Sequence, residues 1–569
     1  MFFRLSPRNK SGKTYRYLQL CESYRNEQGQ PRVKVLCSLG NIEHFSPDEL
    51  QRMAAVLHRE AGLPLAPEGE LQAGTWKHYG DVLAIQQMWD QYALTERLDR
   101  LTDSTHRSFR VAPVVKVGVL NRLLAPRSER ATWEWHHRLY LPELDGQPLP
   151  LAHLYRALDA LVKIQAPLEA DLFGQVKHLF NQELDVVFYD LTSTYFEGQG
   201  PPNAAYGYSR DKRPDRKQIV IALLTEEQGL PLGFQLFPGN RADVSTLTAG
   251  LETLRDRFQL RRCIFVGDSG LFSAANVAAL EQAGYPYLMA VRKRWLAEHA
   301  ELAHVPLTEY QRLRDDLLAY EGPATEEGRA IVCFSEARCT EQQQIRSARL
   351  GRAQASLQTL RERVHQGRLR DANKIALRAG RYLADAKATR YFHLDIGPGC
   401  FDFRLDQELL DEEARWDGKY FLQTTVSGWS VDQVVDAYFT LQRVEEAFRD
   451  LKDYLRVRPV YHYREDRVRG HVFLAVLAYL LARSLELTLA RAGCSITARR
   501  ALDLLGEIHA VEMRLGPKQV LTLTQPSPQA EPLLHALNLA PLPRVLPPST
   551  QTVPASPAGG QAAQPAAQE

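Results

Sequence analysis

Two short apolar runs, each followed by an aspartate, constrain the fold of this chain more than any other feature. Leu184–Tyr189 leads into Asp190, and Cys263–Val266 leads through Gly267 into Asp268. The text between them changes period twice. Gln218–Thr225 and Leu230–Phe237 read as strands joined by Glu-Glu-Gln-Gly, a hairpin signal. A helix then runs from a cap at Asp243 to about residue 258, with Leu247, Leu251, Leu254 and Phe258 on one stripe. Beyond Asp268, the segment from Ser273 to Gly284 has a serine cap and a glycine stop, and Tyr285–Val291 is a further strand. Mixed strands covered by helices in this order give an α/β sheet.

Carboxylates that end buried strands point into the crevice at the carboxyl edge of a sheet, where ligands bind. An ionised carboxylate in that setting is costly unless it is paired or holds a cation. A lone aspartate after an apolar run is most often a turn or cap residue. Two of them, with a hairpin and a helix between, shift that balance. A third acid lies on a helical stretch, Arg443-Val-Glu-Glu-Ala-Phe-Arg-Asp-Leu-Lys452. Its core stripe is Val444, Phe448, Leu451 and Leu455, and Glu445, Arg449 and Lys452 form the adjacent stripe. As a plain surface pair, Glu445 and Arg449 would contribute roughly 0.2–0.5 kcal/mol. As a functional stripe, Glu445 takes a metal and Arg449 and Lys452 take phosphates. Glu446 competes with Glu445, but it lies about 100° further round the helix, so one of the two faces the sheet. Asp190, Asp268 and Glu445 together suit a site that holds two divalent cations for phosphoryl transfer.

The rest of the chain divides around that core. Residues 1–75 form an N-terminal region, with two strands at 14–38 around Asn26-Glu27-Gln28-Gly29, a helix start at Ser46-Pro47-Asp48-Glu49, and a Gly/Pro/Glu-rich linker at 60–75. The net charge of +2 says little about partners, but residues 1–40 carry eight Lys/Arg against Glu22 and Glu27. That excess suits a phosphate backbone or a solvated basic surface equally. Residues 76–180 are helical, broken at Pro113, Pro126, Pro142 and Pro150. They read as DNA-binding helices or as a plain bundle. Residues 181–298 and 418–490 are the two parts of the core, the second with a strand at Lys419–Thr425 and helices at 431–456 and 470–490. The interruption at 299–417 holds a polar helical stretch at 337–384 and strand-like runs near 390–405. Residues 491–541 read as a C-terminal helical region, and 542–569 as a Pro/Ala/Gln-rich disordered tail.

Seven scattered cysteines with no Cys-x-x-Cys support neither a disulfide framework nor a structural zinc site, and suit a reducing cytoplasm. The N-terminus has no signal-peptide layout, and the apolar run Val472–Ala482 is too short to span a bilayer, so no membrane is expected. Weaker features remain open. Arg210, Lys212, Arg213, Arg216 and Lys217 are phosphate ligands or a solvated loop. Thr192 and Thr194 bond the Asp190 carboxylate or form a turn. His462 and His471 carry no assigned role.

The motifs in sequence carry a resemblance. They run from Asp190-Leu-Thr-Ser-Thr-Tyr-Phe-Glu-Gly through Gly207-Tyr-Ser-Arg-Asp-Lys-Arg-Pro-Asp, Pro238-Gly-Asn-Arg-Ala-Asp and Val266-Gly-Asp-Ser-Gly to Tyr438…Glu445…Lys452 and Arg458-Pro-Val-Tyr-His. Over roughly 180–490 the chain resembles bacterial insertion-sequence DDE transposases, specifically the insertion-sequence-4 superfamily and its 1634-type branch. The resemblance implies a ribonuclease-H-like mixed-sheet catalytic core interrupted by an insertion domain, behind an N-terminal β-hairpin and a helical DNA-binding region. It implies Asp190, Asp268 and Glu445 as catalytic metal ligands for two Mg²⁺ ions, with Mn²⁺ able to substitute. Tyr438, Arg449, Lys452, Lys212, Arg213 and Lys217 are the implied DNA contacts. The superfamily spacing of Tyr, Arg, Glu and Lys selects Glu445 over Glu446, but its arginine position is Leu441 here, and Arg443 or Arg449 is left to substitute. Trp295, Trp416 and Trp429 are candidates to stack on a flipped base. The implied partner is double-stranded DNA with terminal inverted repeats, bound by a homodimer, and the implied location is the cytoplasm, at the nucleoid. Two rivals are a transposase-derived DNA-binding protein without catalysis and a haloacid-dehalogenase-like phosphatase. The second needs an aspartate where Thr192 stands.

Overall fold

The computed structural model describes residues 2–10, 13–26, 30–60, 71–102, 109–144, 148–179, 186–241, 246–258, 260, 263–291, 300–323, 328–515 and 518–546. The expected turn at 27–29, the cap at Asp243, Trp295 and nearly all of the expected tail lie outside these residues. The chain forms two compact units.

The first unit gathers Met1–Thr75, Val511–Thr522 and Val545–Pro548. Strands β1 (Phe2–Lys10), β2 (Lys13–Arg25) and β3 (Pro31–Asn41) form an antiparallel sheet. Only β2 and β3 are legible as strands, because β1 ends in the turn-like text Ser-Pro-Arg-Asn-Lys. Helix α1 (Pro47–Glu60) starts as its sequence requires. The Ser46 hydroxyl accepts from the Glu49 amide, and the Glu49 carboxylate accepts from the Ser46 amide, a reciprocal cap. Residues 71–75, within the expected linker, open strand β4 (Leu71–His78).

The second unit contains Trp76–Ala510 and Leu523–Arg544. It begins with helices α2 (Gly80–Gln91), α3 (Leu94–Thr102), α4 (Val111–Leu124), α5 (Glu129–Trp135), α6 (Leu151–Lys163) and α7 (Gln165–Leu179). Pro113 lies in the first turn of α4, where a missing amide hydrogen costs no helical bond. Every residue of α4 from Val111 to Leu123 is buried. It is a core helix rather than one held out to solvent.

The main sheet follows. Strands β5 (Val186–Tyr195), β6 (Gln218–Thr225) and β7 (Pro231–Pro238) are antiparallel neighbours. After α8 (Leu247–Glu252), strand β8 (Ile264–Gly267) runs parallel to β5. Helix α9 (Ala274–Ala283) is capped by the Ser273 hydroxyl and stopped by Gly284 at φ 74°. Strand β9 (Tyr287–Ala290) is parallel to β8.

The interruption has its expected helices and hairpin, but it begins with strands that the sequence reading did not contain. After α10 (Ala300–His304) come three strands, β10 (Gln311–Arg314), β11 (Leu317–Glu321) and β12 (Arg329–Ser335), that extend the main sheet itself. The apolar signal for β12 was Ala330-Ile-Val-Cys-Phe334, a buried run between polar flanks. Helices α11 (Glu336–His365) and α12 (Ala372–Asp385), hairpin β13 (Phe392–Gly397) and β14 (Cys400–Leu405), and α13 (Gln407–Ala414) complete the insertion. They bury their own core, including Leu357, Leu360, Ile375, Leu383 and Phe401.

Strand β15 (Lys419–Thr424) closes the gap between β12 and β9, giving the nine-strand order β10-β11-β12-β15-β9-β8-β5-β6-β7. Then come α14 (Val431–Thr440), α15 (Gln442–Arg449), α16 (Glu465–Arg491) and α17 (Ala498–Leu505). Helix α14 lies on β8 and β9, α15 on β5, and α16 on β7, α2, α4 and α6. Helix α16 is long and apolar enough to cross a membrane, but 78% of its apolar window is buried, as befits a core helix. The region 491–541 is not purely helical, because β16 (His509–Leu515) and β17 (Lys518–Leu523) precede α18 (Glu531–Ala536). With β4 and β18 (Val545–Leu546) they make a separate four-stranded sheet in the order β18-β17-β16-β4, most of whose residues belong to the first unit.

Candidate active site

Strand β5 corrects one expectation about the first aspartate. Asp190 does not end its strand. The β-branched and hydroxyl residues Thr192, Ser193 and Thr194 continue the ladder to Tyr195, paired with Gln218. In β5 every residue is buried except Asp190 and Tyr195, which are half-buried. Asp190 is therefore the one opening inside an otherwise closed strand. The parallel register pairs Tyr189 with Gly267, so Asp190 and Asp268 follow side by side on neighbouring strands. Their carboxylates are oriented by backbone donors: the Leu191 amide to Asp190 at 2.7 Å and the Gly270 amide to Asp268 at 2.9 Å.

Glu445 reaches this pair from α15, the helix that packs on β5. Its neighbour Glu446 faces elsewhere, into a cavity with Arg443, Asp450, Tyr479 and Arg483. Glu445 instead lines a cavity of about 500 Å³ with Tyr438, Leu441, Arg314 and Arg338. The electrostatics agree with this grouping. Burial, then repulsion from Asp268, with a smaller contribution from Glu445, pushes the Asp190 carboxyl up to about 8; the Leu191 amide and the Arg210 charge oppose the shift. Burial, then Asp268 and Glu445, pushes the Tyr438 hydroxyl up to about 12. Asp190, Asp268, Glu445 and Tyr438 thus share one electrostatic neighbourhood.

The expected DNA contacts are placed less uniformly. Arg449 lines the Glu446 cavity rather than that of Glu445. Lys452 is largely buried and bonds the buried Asp211 carboxylate at 2.7 Å; burial lowers its ammonium, against the opposing pull of Asp211. Arg458 pairs with the same carboxylate and with Asp453. Asp211 thereby ties the loop between β5 and β6 to the end of the Glu445 helix. On that loop Lys212 is exposed, in the left-handed region at φ 56°. Arg213 pairs with Asp215 and lies 5.1 Å over the Tyr195 ring. Lys217 is half-buried, and its carbonyl accepts from the Phe196 amide. The neighbouring Arg210 amide donates to Ser193 of β5 at 3.0 Å. The loop's glycine has a steric reason: a Cβ on Gly207 would sit 2.0 Å from the Gly239 carbonyl. Sequence reasoning quoted this loop but missed Asp211 as its anchor, and the unlike neighbours of Asp211 within Arg-Asp-Lys-Arg were the available signal.

Leu441, where the family signature has arginine, lines the cavity that Arg314 and Arg338 also line. Arg443, the other candidate substitute, donates to the Glu227 carbonyl and faces the Glu446 cavity. Thr192 and Thr194 are buried strand residues rather than turn residues. Trp416 packs on Phe421 with ring centroids 5.8 Å apart, in the apolar core where the insertion joins the sheet. Trp429 is half-buried, and its carbonyl accepts from Arg329.

A second ionisable cluster joins Glu129 of α5 to His462 and to His471 of α16. Among the described residues, Glu129, His462 and His471 bring their ligand atoms within 4.8 Å of one another. Arg122 is buried beside them, 3.7 Å from the Glu129 carboxylate and 3.5 Å from Nδ1 of His471. Burial alone would raise the Glu129 carboxyl, but hydrogen bonds and charge from both histidines hold it well below the usual range. A buried guanidinium already stands beside this carboxylate, so the group reads as a compensated buried network.

The family of transposases with a DDE domain matches residues 181–481. The N-terminal domain of IS1634 family transposases matches residues 3–68. No curated protein matches the chain. Two solved structures are similar to parts of it. One is the cryo-EM synaptic complex of piggyBac transposase with hairpin DNA, at 8% identity and a TM-score of 0.34, covering 76% of this chain and 82% of that one. The other is the Mos1 transposase paired-end complex with the left transposon end, at 14% identity and a TM-score of 0.14, covering 43% of this chain and 69% of that one.

Proposed function

We propose a mechanism from one premise: the chain belongs to the DDE-domain transposase family, of the IS1634 type, and is a DNA transposase. In this mechanism Asp190, Asp268 and Glu445 hold two divalent cations, Mg²⁺ by preference with Mn²⁺ able to substitute. The observation that carries it is the Asp190 carboxyl, raised to about 8 by burial and then by the neighbouring acids Asp268 and Glu445. A divalent cation relieves that repulsion, and carboxylate oxygens are the donors that Mg²⁺ prefers. Cations bound there would supply an activated nucleophile and stabilise the leaving oxygen of a phosphodiester.

The protein's own groups do the rest. Backbone amides of Leu191 and Gly270 fix the two aspartates. Tyr438 keeps its proton at neutral pH, since its hydroxyl is pushed up to about 12, and can donate to a phosphate oxygen. Water opens a phosphodiester at the element end, and the freed 3′-hydroxyl attacks target DNA in line. The loop cations Lys212, Arg213 and Lys217 hold backbone phosphates by counterion release. Lys452 acts through Asp211, by holding that loop against the Glu445 helix, and Arg449 serves DNA at most from the adjoining cavity. The order β7-β6-β5-β8-β9, with β8 and β9 parallel to β5, supports a ribonuclease-H-like core. The DNA partner carries terminal inverted repeats, a homodimer joins two such ends, and the work takes place in the cytoplasm at the nucleoid.

The test is nicking of a duplex taken from the DNA flanking the gene. Mg²⁺ or Mn²⁺ should be required, and Asp268→Asn should abolish nicking with DNA affinity unchanged. Full nicking by Asp268→Asn would reject the triad.

A further inference from the structure

The cavity beside Glu445 is walled by two parts of the chain that lie far apart in sequence. Tyr438, Leu441 and Glu445 come from α14 and α15, while Arg314 follows from β10 and Arg338 from the first turn of α11. At about 500 Å³ it is large enough for a nucleotide-sized group. Its two cations are not equivalent. Arg314 is paired with Asp436 and lies 5.2 Å over the Phe439 ring. Arg338 is exposed and lies 5.4 Å over the Tyr420 ring. Among the described residues no carboxylate forms an ion pair with it, so its guanidinium keeps its donors for a ligand. Its backbone is fixed nonetheless, because its amide donates to the capping Ser335 hydroxyl at 3.2 Å. The charge of Arg338 also reaches the Tyr438 hydroxyl, on which Asp268 and Glu445 act as well.

A planar guanidinium held over an aromatic ring, beside a carboxylate of the cutting site, has the geometry for an anionic oxygen pair. We infer that Arg338 is a DNA-positioning residue, whose guanidinium, delivered by the insertion's long helix, holds a backbone phosphate of the strand being cut. This rests on the phosphoryl-transfer reading of the Asp190, Asp268 and Glu445 site. It gives the insertion a direct part in that site.

The test uses the full chain and the flank-derived duplex with Ca²⁺ in place of Mg²⁺. Single phosphates near the element end are replaced in turn by neutral methylphosphonates, and affinity is measured against salt. Arg338→Ala should bind the native duplex about tenfold more weakly and lower the salt slope by about one. At one phosphate, neutralisation should cost the wild type about tenfold and cost Arg338→Ala almost nothing, with Arg338→Lys intermediate. Arg338→Ala that binds within about twofold of wild type, or that loses the same factor at every phosphate, would overturn the inference. Since Arg338 is exposed, an unchanged melting temperature separates a lost contact from a lost fold. A wild-type chain that passes this scan but never nicks in Mg²⁺ or Mn²⁺ would reject the cutting reading while keeping the phosphate contact.

Discussion

Two half-buried carboxylates in this chain meet opposite fates. Glu129 is surrounded by His462, His471 and Arg122, and is held well below the ordinary carboxylate range. Asp190 has Asp268 as its strongest charged neighbour, and its carboxyl is pushed up to about 8. Both sit where an isolated charge is costly. In the first case the chain supplies the compensation itself, from elements up to 342 residues apart in sequence. In the second it places like charges together. A fold keeps such an arrangement when something from outside relieves it, so in the proposed reading the strained cluster is the cation site and the relaxed one a strut. Arg122 and His471 bear this out in their other bonds, which hold the carbonyls of Arg456 and Val457, just past the helix that carries Glu445.

The largest contrast should appear within α15. Glu445→Gln should lower nicking on the order of 10³-fold or more, as for loss of a central catalytic group, whereas Glu446→Gln should stay near wild type. Equal losses from the two would break the assignment of the two faces. Next in size is folding stability. Glu129→Ala leaves Arg122 buried without its carboxylate and should cost about 3–5 kcal/mol in denaturant unfolding. Asp190→Asn removes a carboxyl that is repelled once ionised, and should leave the cation-free protein at least as stable as wild type at alkaline pH. The smallest effect is on pH dependence. Asp190 keeps a proton in the folded state up to about pH 8 that the unfolded chain releases near 3.8, so its contribution to stability is full below 3.8 and is lost as pH rises through 8. The melting temperature of the cation-free protein should carry a component that falls over that window, and Mg²⁺ should restore it most at the alkaline end. Asp190→Asn should erase both changes.

The fold was legible where period and punctuation agree. The β6–β7 hairpin and the helix from Ser273 to Gly284 appear where their turn and cap residues put them. Strand β5 was cut short because Thr192, Ser193 and Thr194 look like a polar turn, although β-branched residues suit a buried strand once a ladder partner exists. Strand β10 carries too few apolar residues to stand out and β11 is only five residues long, so the pairing of β10 with β11 and of β11 with β12 is what defines them. In the candidate site, the grouping of the acids was legible and the partners of the cations were not. Lys452 looks like a surface lysine until Asp211, 241 residues away, is folded against it. Arg338 gives no local signal, since its importance comes from which cavity α11 enters. Long-range charge pairing is a property of tertiary structure and leaves little trace in sequence periodicity.

The most direct measurement is Mn²⁺ binding, by titration, to the wild-type chain, Asp268→Asn and His471→Gln. The proposal makes the strained acids the cation site, so it expects Asp268→Asn to lose Mn²⁺ binding and His471→Gln to keep it. Mn²⁺ binding that survives in Asp268→Asn and disappears in His471→Gln would contradict the account, and would move the cation to Glu129.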